Sequence, residues 1–234
     1  MSPDEPPRES LSKYLAFAHA HPDLFKNPAH GGFSIVLDKR EIREAEARTA
    51  ELLGSSQGSA DWPHVGIAFE DPYLILLRDA VRFPSGSLGT YIRTISPHPE
   101  RLGVAILPVY DRAVLLVRHF RHATRNWHLE IPRGFGAGSG KEENARRELS
   151  EEIGAVASRL FDLGISYPNT GISSEHVALF YADVSVYGQG EAEEAIAEIV
   201  PTPMSHLERM IRDCEITDGF TLAAYARAKV KGLL

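Results

Sequence analysis

The sequence predicts an α/β (α+β) fold, a mixed sandwich in which short strands are followed by helices. Two observations predict it. Apolar or alternating runs of strand length, separated by turn residues, fill most of the chain from residue 65 onward. Helical periodicity with capping residues is restricted to the beginning of the chain, one central segment and the end.

The beginning of the chain predicts two helices. Ser10 is the predicted N-cap of the first helix, in which apolar residues recur at helical spacing. Asp38 and Glu41 have the spacing of a capping box for the second helix, and Gly54 is its predicted stop. We therefore expect residues 1–55 to form an N-terminal helical extension.

Strand patterns follow in two groups. The first predicts a small antiparallel β subdomain over residues 56–100, with strands at residues 65–69, 73–77, 80–83 and 90–95. The second predicts the sheet of a main domain over residues 101–234, with strands at residues 103–109, 113–120, 127–131, 160–167, 176–184 and 196–200. Two helices are expected to close the chain, with Ser205 and Glu208 capping the first and Asp218 capping the second.

Composition narrows the class of protein. The formal net charge is −7 with both signs mixed along the chain, which argues against a nucleic-acid partner. The single cysteine, Cys214, has no partner for an intrachain disulfide. The apolar runs are far shorter than the ~20 residues of a membrane-spanning helix, and the first residues lack the pattern of a secretion signal. We expect a cytoplasmic protein with no membrane partner, for which a small anionic ligand is still allowed.

The segment at residues 139–154 is the most informative. Glu148, Glu151 and Glu152 stand at i, i+3 and i+4 of a predicted helix, which places three carboxylates within one turn. Arg147 precedes Glu151 by four residues and can neutralise one of them. A solvated surface face is the ordinary alternative for such a pattern, whereas clustered carboxylates that remain uncompensated suit Mg²⁺ or Mn²⁺.

Four stretches of the chain resemble the Nudix hydrolase superfamily. Residues 147–155 read Arg-Glu-Leu-Ser-Glu-Glu-Ile-Gly-Ala, which is similar to the core of the Nudix box. Upstream, Glu-Ile-Pro-Arg-Gly at residues 130–134 and Arg-His-Phe-Arg at residues 118–121 resemble the ADP-ribose pyrophosphatase branch, as does the stretch at residues 213–222. The resemblance covers roughly residues 65–234.

The resemblance implies a Nudix α/β/α sandwich that hydrolyses the diphosphate bond of a nucleoside diphosphate linked to another group, with ADP-ribose as first choice. It also implies a homodimer. Glu148, Glu151 and Glu152 would hold Mg²⁺ or Mn²⁺, and Arg147 would orient the cluster. The general base in this branch comes from a later acidic loop, where Glu193 and Glu194 are the candidates here.

Further residues are candidates for substrate contact. Arg118 and Arg121 leave the end of a strand just before the acidic helix, where a guanidinium can pair with phosphate. By resemblance, Glu130 and Glu175 match positions that face the substrate or the metal. Trp127 can stack on a base or fill core space, and core packing is the expectation.

Two departures from the family pattern leave other functions open. The family's first glutamate falls on Ser139, and the Ser-Pro-Gly of the ADP-ribose branch is replaced by Asn-Thr-Gly at residues 169–171. One alternative is therefore a nucleotide-ligand sensor of weak or no activity on the same fold. Another is a hydrolase of a dinucleotide polyphosphate or a nucleotide-linked coenzyme.

Overall fold

The computed structural model describes residues 8–54, 63–136, 138, 140–190 and 195–234. The chain forms two compact units. The first comprises residues 1–97 and 169–175, and the second comprises residues 98–168 and 176–234. None of the helices in the described part of the chain is long and apolar enough to cross a membrane.

The first unit combines two helices with a four-stranded antiparallel sheet. Strand β3 is its centre: β4 pairs with the whole length of β3, while β2 and β1 pair with its first and second halves. A short 3-10 helix, Pro22–Phe25, follows the first α-helix. The elements are α1 (Glu9–Ala20), β1 (Ser34–Val36), α2 (Lys39–Leu53), β2 (Gly66–Glu70), β3 (Ile75–Arg82) and β4 (Leu88–Ile95).

A buried polar contact fixes α1 to this sheet. Tyr14 is fully buried, and its hydroxyl donates to Asp79 Oδ1 at 2.6 Å. Burial and the neighbouring Asp79 carboxylate raise the pKa of Tyr14 far above its ordinary value. Arg93 Nε donates to Asp79 Oδ2 at 2.6 Å. The buried carboxylate is therefore compensated by a cation and a hydroxyl, as a buried charge requires.

The second unit is built on a seven-stranded mixed sheet. The order β11-β6-β5-β10-β9 forms its main path; β7 pairs with β6, and β8 pairs with β5. Only the β5 and β10 pair is parallel among the described strands. The elements are β5 (Gly103–Tyr110), β6 (Ala113–Arg121), β7 (Asn126–Glu130), β8 (Arg133–Gly134), α3 (Lys141–Ile153), β9 (Val156–Ser166), β10 (Val177–Val186), β11 (Ile196–Pro203), α4 (Met204–Arg212) and α5 (Gly219–Val230).

The alternation of β6 divides the core of this unit between the two faces of the sheet. Leu115 and Val117 pack with α3 residues, including Leu149 and Ile153. Val114 and Leu116 pack with residues of α4 and α5, such as Leu207 and Ala224. Helices therefore cover both faces, and the α/β/α sandwich that the sequence predicted is confirmed.

The predicted caps have mixed outcomes. Asp38 caps α2 by accepting the N–H groups of Arg40 and Glu41, and Asp218 caps α5 by accepting from Thr221 N at 2.8 Å, so both N-caps are confirmed. The Glu41 carboxylate pairs with Arg82 and does not complete a capping box. The Ser10 cap was wrong, because α1 begins at Glu9 with Arg8 as N-cap.

The Ser205 cap was also wrong, since α4 begins at Met204 after Pro203. Residues 80–82 belong to the strand that begins at Ile75 instead of forming a separate one, and β1 was not predicted. The division into domains at residues 55 and 100 stays a prediction.

Candidate active site

Helix α3 positions the acidic side chains through its apolar face. Leu149 and Ile153 are fully buried against the sheet, and Gly154 ends the helix in a left-handed conformation, with φ 56° and ψ 28°. The helix begins at Lys141 with Gly140 as its N-cap. Ser139 itself lies outside the described residues. Helix packing thus sets which way the carboxylates face.

The three glutamates differ in exposure. Glu148 and Glu152 are buried, with 6% and 4% of their surface exposed, whereas the Glu151 side chain is 31% exposed. Buried carboxylates are costly unless positive charge or hydrogen bonds compensate them. A solvated surface face is therefore excluded for Glu148 and Glu152.

Arg147 supplies part of that compensation. Its guanidinium donates to Glu148 and to Glu151, so the predicted pairing with Glu151 is present. Its NH2 group also donates to the carbonyl oxygen of Phe135 at 3.0 Å. Arg147 therefore ties two of the three carboxylates to the loop that follows β8.

Strand β8 lies directly against the acidic cluster. A Cβ atom placed on Gly134 would lie 2.1 Å from Oε2 of Glu148, closer than any real contact allows. The backbone N–H of Arg133 donates to Glu152 Oε2 at 3.1 Å. Only glycine permits this approach at residue 134 without displacing the Glu148 carboxylate.

Glu130 forms a second buried acidic position. It is 1% exposed and accepts hydrogen bonds from Arg121 and, at 3.4 Å, from Arg133 NH2. His119 Nδ1 lies 3.5 Å from Glu130 Oε1. Burial and the charges of Arg121 and Arg133 lower the pKa of His119 to about 4, so the imidazole is neutral at pH 7. Two guanidinium groups, not a histidine cation, neutralise Glu130.

Arg133 and Asp218 were missed by sequence reasoning as part of this region. Arg133 NH1 donates to Asp218 Oδ1 at 2.9 Å, while Asp218 Oδ2 accepts from the hydroxyl of Thr221 at 2.8 Å. The Thr221 hydroxyl oxygen in turn accepts from the N–H of Ile131 at 3.0 Å. A chain of hydrogen bonds thus links Glu130 to the beginning of α5. The capping role of Asp218 was readable from the sequence, but its arginine partner was not.

The structure separates the two arginines of β6. Arg121 contacts Glu130, whereas Arg118 pairs with Glu198 at 3.4 Å and lies over the ring of Trp127 on the opposite face of the sheet. Trp127 is 43% exposed, so the expectation that it fills core space was wrong. Its place near the end of the β6–β7 hairpin leaves it without a covering layer.

Three predicted site residues are not tested by these contacts. Glu193 and Glu194 lie outside the described residues. The loop that leads to them is fixed beside α3, because Gly188 N–H donates to Ile153 O at 3.0 Å. Glu175 belongs to the first unit, and its predicted place facing the substrate stays a prediction.

The carboxylates of the acidic helix are the candidate ligands of a divalent cation. Within the described ranges, no group of three or more His, Cys, Asp or Glu side chains is gathered closely enough to hold a metal. Arg147 instead holds Glu148 and Glu151. The chemistry of the donors does fit, since the carboxylate oxygens of Glu148, Glu151 and Glu152 are the hard ligands that Mg²⁺ and Mn²⁺ prefer.

Comparisons with known proteins agree with this architecture. The NUDIX domain family matches residues 99–210. An ADP-ribose pyrophosphatase of Bacillus subtilis is 28% identical over 171 residues, covering 71% of this chain and 90% of the relative. A GDP-mannose pyrophosphatase of Yersinia enterocolitica is 30% identical over 159 residues, covering 62% of this chain and 83% of the relative.

Among solved structures, that of an ADP compounds hydrolase matches with a TM-score of 0.63 and 20% identity, over 73% of this chain and 93% of the other. At that identity the structural match supports the fold alone. The family match covers the strands and the acidic helix of the second unit, and the sequence relatives extend the similarity well beyond it. The chain belongs to the Nudix hydrolase superfamily, in its ADP-ribose pyrophosphatase-like branch, and is a Nudix pyrophosphohydrolase.

Proposed function

We propose that this enzyme hydrolyses the diphosphate bond of a nucleoside diphosphate linked to a sugar, with ADP-ribose as first choice. The observation that carries the proposal is the pair of buried carboxylates, Glu148 and Glu152, held on one face of α3 next to strand β8. The two sequence relatives are named for ADP-ribose and for GDP-mannose, and both names describe a nucleoside diphosphate joined to a sugar.

A divalent cation, Mg²⁺ or Mn²⁺, is part of the proposal, with Glu148, Glu151 and Glu152 as its ligands. Such a cation would neutralise charge on the diphosphate oxygens and lower the pKa of a bound water. Arg147 would keep Glu148 and Glu151 in position, because it already donates to both. Its bond to Phe135 O would keep the loop against the same carboxylates.

Arg121 is the proposed phosphate-binding residue. Its side chain is 26% exposed, and Glu130 holds one of its terminal nitrogens in place. A guanidinium oriented in this way loses little side-chain freedom when it binds an anion. Glu130 is therefore proposed to act on the substrate through Arg121. Arg118 is left out of this group, because it lies on the other face of the sheet.

The general base is proposed to come from Glu193 or Glu194. The preceding loop passes so close to α3 that a Cβ atom on Gly190 would lie 2.1 Å from Glu152 O. Residue 190 therefore lies against the backbone of the last turn of α3. We propose that a carboxylate of this loop comes within hydrogen-bond reach of the attacking water, as a general base must.

From the family resemblance we also propose a homodimer in the cytoplasm.

A substrate panel with identified products tests the proposal. ADP-ribose, GDP-mannose, a dinucleotide polyphosphate and a nucleotide-linked coenzyme are incubated with and without Mg²⁺, and products are identified by mass. We expect ADP-ribose to give AMP and ribose 5-phosphate only when a divalent cation is present. Binding of every compound without turnover would instead indicate a sensor, and preferred cleavage of either of the last two would replace the proposed substrate.

A further inference from the structure

A pocket lies on the other face of the seven-stranded sheet from α3. Its volume is about 540 Å³, and its walls are β6, β7, β11 and the segment between α4 and α5. Arg118 lies two residues beyond Leu116, whose side chain packs on the α4 and α5 side. Because side chains alternate along a strand, the pocket opens on that side. It is therefore separate from the acidic cluster of α3.

The lining of this pocket combines the rings of Trp127 and His128 with charges of both signs. The residues that matter to its chemistry are Arg118, Trp127, Glu198, Glu215 and Thr217. Two carboxylates face a single guanidinium that already pairs with Glu198 at 3.4 Å. A diphosphate would meet repulsion here, so the pocket does not duplicate the proposed active site. Its charges favour a neutral or cationic ligand that donates hydrogen bonds.

Trp127 provides a platform for a planar group. Trp127 is 43% exposed, and its ring packs edge-to-face with that of Phe120, with ring centroids 5.4 Å apart. The Arg118 guanidinium lies over the ring, 5.8 Å from its centroid, while pairing with Glu198. The pocket thus already holds a planar group with adjacent N–H donors between an aromatic ring and a carboxylate.

We propose that this pocket binds a guanine base, stacked on Trp127 and donating to Glu198 or Glu215. Guanine presents a ring N–H beside an amino group, so it offers a carboxylate two adjacent donors as Arg118 does. Adenine offers only its amino group at the corresponding edge, and uracil has no amino group. Stacking on an aromatic side chain tolerates every base, so the carboxylates provide the discrimination.

The test is nucleoside binding, observed at Trp127 itself. The chain has two tryptophans, Trp62 and Trp127, so 5-fluorotryptophan labelling gives two ¹⁹F resonances, and Trp127→Phe assigns them. The probes are guanosine, adenosine, uridine and inorganic pyrophosphate. We expect guanosine to shift the Trp127 resonance with a Kd on the order of 1 mM. Adenosine should bind more weakly, and uridine and pyrophosphate should cause little change.

Variants separate this pocket from the proposed active site. The double variant Glu198→Gln, Glu215→Gln should weaken guanosine binding about tenfold, because it removes the charged hydrogen-bond acceptors. The control variant Glu143→Gln, on the exposed side of α3, should leave guanosine binding unchanged. Arg118→Ala should retain or tighten binding, because it removes the group that occupies the ring. Glu152→Gln should leave guanosine binding unchanged.

Three results would overturn the proposal. These are no shift with guanosine, an equal shift with uridine, or a shift that Glu152→Gln removes. Because the readout is binding of a nucleoside without a diphosphate, it does not depend on turnover. Failure of the hydrolase proposal and failure of this one are therefore distinguishable.

Discussion

Strand β6 sends Arg118 to one face of the sheet and Arg121 to the other, and the two arginines meet different surroundings. Arg121 pairs with Glu130, a carboxylate that is 1% exposed, in a network that also holds Arg133. Arg118 pairs with Glu198, and both side chains are about half exposed, at 51% and 54%. Arg121 is thus held by a buried carboxylate on the α3 face, whereas Arg118 is solvated on the α5 face.

Under the two proposals, this difference assigns catalysis to the α3 face and ligand binding to the α5 face. Charges that are buried and mutually bonded keep a fixed geometry, which a reaction at phosphorus requires. Exposed ion pairs contribute little to stability and can exchange a partner for a ligand at low cost. Substitutions on the α3 face should therefore have large effects on turnover or stability, and those on the α5 face should mainly change binding.

The largest expected effect is on turnover. Glu152→Gln keeps the volume of a buried side chain and an oxygen that can accept from Arg133 N–H, but removes its charge. If Glu152 is a metal ligand, the turnover number should fall more than about a hundredfold, since even outer-shell changes at metal sites cost 10–100-fold. Steady-state kinetics with ADP-ribose measures this. Glu143→Gln is the matched control, and equal rates for the two variants would remove Glu152 from the mechanism.

The next largest effect is expected at Gly134 in strand β8. Gly134→Ala places a methyl group against the Glu148 carboxylate, so we expect a loss of about 1–3 kcal/mol in the free energy of unfolding, as for other overpacked positions. Activity should fall in parallel because Glu148 must move. Urea denaturation and turnover measure the two effects. Gly219→Ala at the first position of α5 is the control, since nothing lies within 4 Å of a Cβ placed there. A Gly134→Ala protein with normal stability and activity would contradict the packing.

A smaller effect is expected at the beginning of α5. Asp218→Ala removes the N-cap of α5 and the partner of Arg133, so the free energy of unfolding should fall by about 1–2 kcal/mol. Asp218→Asn retains a capping oxygen and isolates the contribution of Arg133. Asp213→Ala is the control, because Asp213 pairs with its neighbour Arg212 on the surface. If both Asp218 variants have the same free energy of unfolding as the wild type, the hydrogen bonds that link Glu130 to α5 do not stabilise the fold.

The smallest effect is a pH dependence of stability. The folded pKa of His119, about 4, lies below its ordinary value of 6.5. Between these values the unfolded chain binds a proton that the folded chain does not, so stability falls as pH is lowered from 6.5 to 4. His119→Gln should remove on the order of 1 kcal/mol of that decline. Denaturation at pH 7, 5.5 and 4.5 measures it, and parallel curves for the two proteins would refute the assignment.

Local features of the fold were largely predictable from the sequence. The acidic helix, its end at Gly154 and the caps at Asp38 and Asp218 depend on residues within four positions of each other, and those interactions are local. The caps at Ser10 and Ser205 failed because each helix begins one residue before the predicted cap. A polar residue near a helix start can occupy several positions, and packing decides which one it takes.

The candidate site was predictable only in part. Glu148, Glu151 and Glu152 were found from their spacing, and Arg147 from its distance to Glu151. The contacts of Arg133 with Glu130, Glu152 and Asp218 join residues up to 85 positions apart. No local sequence pattern predicts contacts between residues so far apart in the chain. The exposure of Trp127 was missed for the same reason, since it depends on which strands and loops surround the β6–β7 hairpin.

The most direct test of the account is calorimetric titration of the enzyme with Mn²⁺ in the presence of a non-hydrolysable ADP-ribose analogue. We predict that the wild type takes up the cation and that Glu148→Gln and Glu152→Gln lose this uptake while remaining folded by circular dichroism. Equal uptake by the wild type and both variants, or none by the wild type, would contradict the assignment of these carboxylates as metal ligands.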